Sequence, residues 1–134
     1  MIGLLLVCHG QLAESLLGAV DGIVGPQDDV VAITNEGKAP EVVRSEIAEI
    51  LQSFAGHEGV IVMADLLGSS CWRNGLECLK EPPTPIAVIS GVNLGMLLSF
   101  TQKRATLSFS ELAEVMANDG KRAISGPRFS EPAK

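Results

Sequence analysis

The residues best placed to do chemistry are a histidine and an aspartate that each follow an apolar run. Gly3-Leu4-Leu5-Leu6-Val7-Cys8 ends in His9-Gly10, and Val60-Ile61-Val62-Met63-Ala64 ends in Asp65. An unperturbed imidazole is largely neutral near pH 7, so one ring nitrogen keeps a lone pair and can act as a nucleophile. A carboxylate accepting from the other nitrogen fixes the tautomer and the ring orientation. It also stabilises positive charge that develops during attack. A group with anionic oxygens arriving on His9 would need donors. Gly68-Ser69-Ser70, ahead of a helical stretch, supplies backbone N–H groups, hydroxyls and a positive helix end. Gly10 adds another N–H, and Ser90-Gly91-Val92-Asn93 forms a third loop. The set suits a phosphoryl group carried on His9, with His9 and Asp65 catalytic and Gly10, Gly68, Ser69 and Ser70 binding phosphate.

Each of these residues also has a plainer use. Asp65 could cap a helix or satisfy a turn, Ser70 and Asn93 are ordinary N-caps, and Gly68 could only permit a tight turn. His57, between glycine-containing pairs, reads as a surface-turn residue. Cys8 reads as a packing residue. Cys71 and Cys78 share one helical face and lie too far apart along it to bridge. Trp72 either borders the site or packs.

For His9 and Asp65 to meet, their strands must be neighbours. Apolar residues at Leu12, Ala13, Leu16, Leu17, Val20 and Ile23 mark a helix that Gly25-Pro26 stops. A strand at Val30–Ile33 follows. A second helix opens at Pro40 and carries Val43, Ile47, Ile50, Leu51 and Phe54. After the third strand comes a helix from about Cys71 to Leu79. A fourth strand, 85–89, and a helix from Leu94 to about Gln102, capped by Asn93, follow. Ser108 and Glu111 have capping-box spacing for a last helix ended by Asp119-Gly120. Lys121-Arg122-Ala123-Ile124 reads as a short edge strand, its charges blunting the edge. Alternating strands and helices predict an α/β, doubly wound parallel sheet with helices on both faces, in the order 2-1-3-4. In that order the first and third strands lie side by side, about 4.8 Å apart, at the switch point where ligands bind.

At 134 residues, 46% of them hydrophobic and only 4% aromatic, the chain predicts one domain (1–124) with an aliphatic core and a loose tail (125–134). The net charge of −6 argues against a nucleic-acid partner and against an anionic membrane surface. No apolar run has membrane-spanning length, and the start lacks a signal peptide's basic residues. Three cysteines in no paired motif fit reduced thiols in the cytoplasm. No Cys-x-x-Cys or His-x-x-x-His spacing is present, so neither a metal nor a cofactor is expected.

Three segments carry a family resemblance. Cys8-His9-Gly10 resembles the T/S-H-G that closes the first strand in mannose-type IIA domains of the bacterial phosphoenolpyruvate-dependent sugar phosphotransferase system. Asp65-Leu66-Leu67-Gly68-Ser69-Ser70 resembles the family's D-x-x-G-G-S, and Ser90-Gly91-Val92-Asn93-Leu94-Gly95-Met96-Leu97 its A-G-V-N-[IL]-P-M-L. The resemblance covers roughly residues 1–124. It implies a flavodoxin-like domain whose C-terminal strand is exchanged in a homodimer. It also implies that His9 takes a phosphoryl group from the phosphocarrier HPr and passes it to a IIB domain, with Asp65 orienting the ring and Ser70 at the phosphate. The chain departs from the pattern at Ser69, where the family has glycine, at Cys71-Trp72, where it has Pro-Phe, and at Gly95, where it has proline. Such departures, at or near Cys71, Trp72, Ser90, Gly91 and Asn93 on the partner side, are compatible with a regulatory phosphoacceptor or a dihydroxyacetone-kinase-type phosphodonor. A receiver domain phosphorylated on Asp65 would have the same fold, but it needs acids where Cys8-His9 stand.

Overall fold

The structure, a computed structural model, describes residues 1–131. The elements run β1 (Ile2–Cys8), α1 (Leu12–Val24), β2 (Val30–Thr34), α2 (Pro40–Ser53), β3 (Gly59–Ala64), α3 (Ser70–Glu77), β4 (Ile86–Ile89), α4 (Leu94–Lys103) and α5 (Phe109–Arg122). All strands are parallel in the order β2-β1-β3-β4, giving the flavodoxin-like sheet. β1 and β3 are central and buried along their whole length, which is why both are continuous apolar runs. Their pairing ends at Val7 opposite Ala64, so His9 and Asp65 leave the sheet side by side.

Strand alternation sorts the core into two layers. Leu4, Leu6, Cys8, Ile61 and Met63 pack with Ala13 and Val20 of α1, Met96, Leu97 and Phe100 of α4, and Leu112 and Met116 of α5. Leu5, Val7, Val60, Val62 and Ala64 pack with Val43, Ile47 and Leu51 of α2, with Phe54, and with Cys71 of α3. At the far end of the sheet Arg104 ties three segments together. Its guanidinium donates to Ile2 O (3.0 Å) and Asp28 O (2.8 Å) and lies 4.6 Å from the centre of the Phe100 ring.

Helix starts follow the sequence closely. Asn93 Oδ1 accepts from Met96 N at 3.0 Å, and Ser108 and Glu111 form the expected reciprocal capping box. The α3 cap is Ser69 rather than Ser70, since Ser69 Oγ accepts from Trp72 N. α3 also stops at Glu77, two residues short of the expected end.

The larger correction concerns the expected edge strand at 121–124. Among the described residues no fifth strand forms, because α5 runs through Gly120 to Arg122. Glycine here permits close packing instead of ending the helix. A Cβ on Gly120 would stand 2.2 Å from Met96 Cγ, and one on Gly95 would stand 2.7 Å from Ala123 Cβ. The bare backbone at both positions lets α5 lie tightly on α4 past the expected stop. Asp119 fastens the same contact, accepting from Lys103 Nζ (2.6 Å), Ser99 Oγ (2.7 Å) and Arg122 Nη2 (3.0 Å). Residues 125–131 carry no helix or strand, and the last three of the expected tail lie outside the described residues.

Two outcomes test this packing. Gly120→Val should cost about 1–3 kcal/mol by overfilling the α4–α5 contact, read as a lower urea midpoint at unchanged slope. The Lys103 hydrogen bond, then those of Ser99 and Arg122, hold the Asp119 carboxyl well below the usual carboxylate range. A depressed folded-state pKa gives stability above the unfolded pKa that is lost as pH falls through the folded one. Asp119→Asn should therefore unfold at neutral pH more easily than the parent and lose less stability on acidification. Parallel pH–stability curves for the two proteins would contradict that assignment.

Candidate functional site

β1 delivers His9 to the sheet end from a fully buried Cys8. Gly10 then takes φ +56°, a left-handed turn that glycine adopts without strain, and Leu12 N bonds back to His9 O at 3.2 Å as α1 begins. The His9 side chain is 47% exposed, whereas Asp65 beside it is 11% exposed. One carboxylate grips the histidine twice. Asp65 Oδ2 accepts from the His9 backbone N–H at 2.9 Å, and it lies 2.8 Å from ring Nδ1, with Oδ1 at 3.1 Å. Burial raises the Asp65 carboxyl, but hydrogen bonds from the His9 amide and ring outweigh it and hold the group below its ordinary value. An ionised carboxylate only accepts, so the network assigns the proton to Nδ1 and leaves the lone pair on Nε2.

Cys71 is the third member of the cluster. It sits in the first turn of α3 with its Sγ 3.8 Å from His9 Nδ1, so the start of that helix borders the ring. Burial, and secondarily the charge of Asp65, pushes the Cys71 thiol up to about 11, and burial pushes Cys8 up to about 12. Neither thiol is a nucleophile near neutrality. His9 Nδ1, an Asp65 oxygen and Cys71 Sγ all lie within 4.8 Å of one another.

The loop between Asp65 and α3 is held by its own bonds. Ser69 Oγ donates to Leu66 O at 2.7 Å, Gly68 has φ +83°, and Arg73 Nη1 donates to Gly68 O at 2.8 Å. Ser70 opens α3, and its Oγ accepts from Asn35 Nδ2 at 3.4 Å. A cleft of about 420 Å³ beside Ser70 is lined by Pro40, Arg44, Arg73, Asn74 and Glu77. The Ser90–Asn93 loop reaches the same sheet edge, where Val92 N bonds to Ala64 O at 3.2 Å. Its side chains serve elsewhere. Asn93 caps α4 and donates to Gly120 O, while Ser90 and Gly91 line a separate cleft with Met96, Gly120 and Ile124. Trp72 packs, half-buried, against the α2–α3 layer of the core.

The structure thus joins His9, Asp65 and Cys71, sets Ser69 and Ser70 at the start of the helix beside them, and turns Asn93 and Trp72 to packing. Sequence reasoning missed Asn35 and the ring contact of Cys71. Asn35 follows β2 at the same sheet edge, which was a usable signal. The cysteine contact depends on how α3 leans against β1, which no spacing reveals.

The chain matches the family profile for the PTS system fructose IIA component, EIIA-man, over residues 3–117. It is similar to the phosphotransferase system component EIIA from Streptococcus agalactiae, with TM-score 0.87 and 25% identity over 94% of this chain and 97% of that one. It is also similar to the mannose/sorbose specific IIA subunit of Enterococcus faecalis, with TM-score 0.79 and 25% identity over 98% of each chain. The PTS IIA protein associated with the fucose utilization operon of Streptococcus pneumoniae shares the fold, with TM-score 0.78 and 19% identity over 93% of this chain and 92% of that one. No helix among the described residues is long and apolar enough to cross a membrane. The chain belongs to the EIIA-man family of phosphotransferase-system IIA components, a membership that supports a phosphocarrier role.

Proposed function

We propose that His9 accepts a phosphoryl group from HPr and passes it to a IIB domain, in the cytoplasm, as a step of sugar uptake or its regulation. The observation that carries this reading is the double grip of Asp65 on an exposed histidine. With Nδ1–H donating to the carboxylate, the Nε2 lone pair attacks the phosphorus of the incoming phosphohistidine. A new N–P bond forms, the donor's N–P bond breaks, and its electron pair returns to the donor ring. His9 becomes an imidazolium, and Asp65 stabilises that charge without taking the proton. The reverse sequence loads the IIB domain. Such transfer depends on positioning and charge stabilisation.

Gly10, Gly68, Ser69 and Ser70 are assigned to the phosphate oxygens. The start of α3 beside the ring supports this. The Ser69 N–H and hydroxyl both donate to Leu66 O, at 3.2 and 2.7 Å, so Ser69 reaches phosphate only by leaving that oxygen. Leu66 and Leu67 stand exposed on the same loop and suit contact with a protein donor. Phosphorylation on Asp65 itself is disfavoured, because both carboxylate oxygens are engaged by His9. A homodimer belongs to the reading as well. Among the described residues β4 pairs with β3 alone and leaves one edge open, while Ile124 and Phe129 stand exposed after α5.

Incubation with phosphoenolpyruvate, the first enzyme of the system and HPr should raise the intact mass by one phosphate per chain. That phosphate should be acid-labile and alkali-stable, and His9→Ala should take none. An alkali-labile label, or labelling of His9→Ala, would overturn the assignment. Asp65→Asn should keep the fold but accept phosphate about 100-fold more slowly, because its amide can turn an N–H toward the ring and reverse the tautomer. Rapid-quench labelling measures that rate, and parental kinetics would remove Asp65 from the mechanism.

A further inference from the structure

The His9–Asp65–Cys71 cluster offers one nitrogen, one carboxylate oxygen and one sulfur, all within 4.8 Å of one another. Tetrahedral zinc, at about 2.0–2.3 Å from each ligand, needs N···O and N···S edges of about 3.3 and 3.6 Å. Here Nδ1 lies 2.8 and 3.1 Å from the two carboxylate oxygens and 3.8 Å from Sγ. The two edges from the ring nitrogen are therefore within about half an ångström of coordination spacing, and the carboxylate–sulfur edge, within 4.8 Å, closes by up to about 1.3 Å on binding. They come from the ends of β1 and β3 and the first turn of α3, three elements fixed by the core. The mixed N, O and S set suits a borderline-soft ion and not magnesium or calcium. The thiol is closed to solvent, so an ion enters along the exposed edge of the His9 ring.

We propose that His9 Nδ1, Asp65 and Cys71 Sγ form a site for a zinc-class divalent cation that competes with phosphoryl acceptance at His9. The binding half stands on the geometry alone, whereas the competition rests on the phosphoryl reading. Zinc takes the Nδ1 lone pair, a carboxylate lone pair and the Cys71 thiolate, leaving a fourth position for water. The thiol proton goes to solvent. The ring proton leaves Nδ1 and, through solvent, settles on Nε2. No oxidation state changes. The nitrogen that would attack phosphorus now bears a proton, and the carboxylate that steadied the ring is committed to the metal. One histidine cannot serve both purposes at once.

Cobalt(II) titrated into the chelator-treated, full-length protein provides a spectroscopic test that needs no phosphoryl donor. One equivalent should give a near-ultraviolet thiolate-to-cobalt charge-transfer band and the intense visible bands of tetrahedral cobalt. Cys71→Ser and Cys71→Ala, checked for fold by circular dichroism, should lose the charge-transfer band. Cys78→Ser should keep it, and His9→Ala should weaken binding at least tenfold, roughly the loss typical of a damaged metal shell. A missing charge-transfer band, or one that survives loss of Cys71, overturns the site. Zinc should then lower phosphorylation by phospho-HPr in proportion to occupancy, with recovery on chelation. Undiminished phosphorylation of zinc-loaded protein overturns the competition. Protein that shows the cobalt bands when titrated yet takes no phosphate when metal-free would sink the phosphoryl reading and leave the metal site standing.

Discussion

The organisation of this protein depends on one carboxylate holding two donors of the same residue. Asp65 takes both the backbone N–H and the ring N–H of His9. A ring bond alone would leave the strand end free to shift, and a backbone bond alone would leave the ring free to turn. Together they tie ring orientation to the position of β1. The carboxylate is mostly buried, yet it stays ionised because the His9 donors outweigh its loss of hydration. Moving β3 away from β1 would expose the cost of burying that charge without its partners.

The rest of the fold keeps those two strand ends together. β1 and β3 are central, paired over six residues, and covered on both faces by helices. The edge strands β2 and β4 are only half-buried and complete the sheet from outside. Because every crossover returns to the same end, the loops after all four strands gather around His9. The Asn35 amide, the Ser69–Ser70 turn and the Val92 N–H each reach the neighbourhood from a different strand. Rigidity comes from the aliphatic layers below, so the loops above need only short, local bonds.

Much of this was legible in the residues. The two apolar runs ending in His9 and Asp65, with helical spacing between them, were enough to predict the strand order and the pairing of the side chains. Caps at Asn93 and Ser108 were equally plain, because their signal is local. What failed depends on contacts between distant segments. Gly120 carries the sequence mark of a helix end, yet its missing side chain makes room for Met96 and the helix continues. Ser69 and Ser70 are chemically alike, and only the turn at Gly68 decides which one caps α3. Metal-ligand spacing along the chain is absent for the same reason. The three donors that converge here are 56 and 6 residues apart and meet only through the sheet.

The departures from the family pattern acquire physical content from the same contacts. Gly95 is one of the departures read from the sequence, and its bare Cα admits Ala123 at the end of α5. A larger residue there would push the end of α5 away from α4, so the departure and the length of that helix belong together. Cys71 is another of those departures, and it brings a sulfur against the ring. That sulfur adds little to phosphoryl chemistry, since burial keeps it protonated. It does change what else the histidine can bind. A ring held by carboxylate alone has one use for its Nδ1 proton, whereas a ring flanked by carboxylate and thiol has a second, in which a cation replaces that proton. On the two proposals together, nucleophile and ligand differ in which ring nitrogen of His9 carries hydrogen, and Asp65 would stabilise either state.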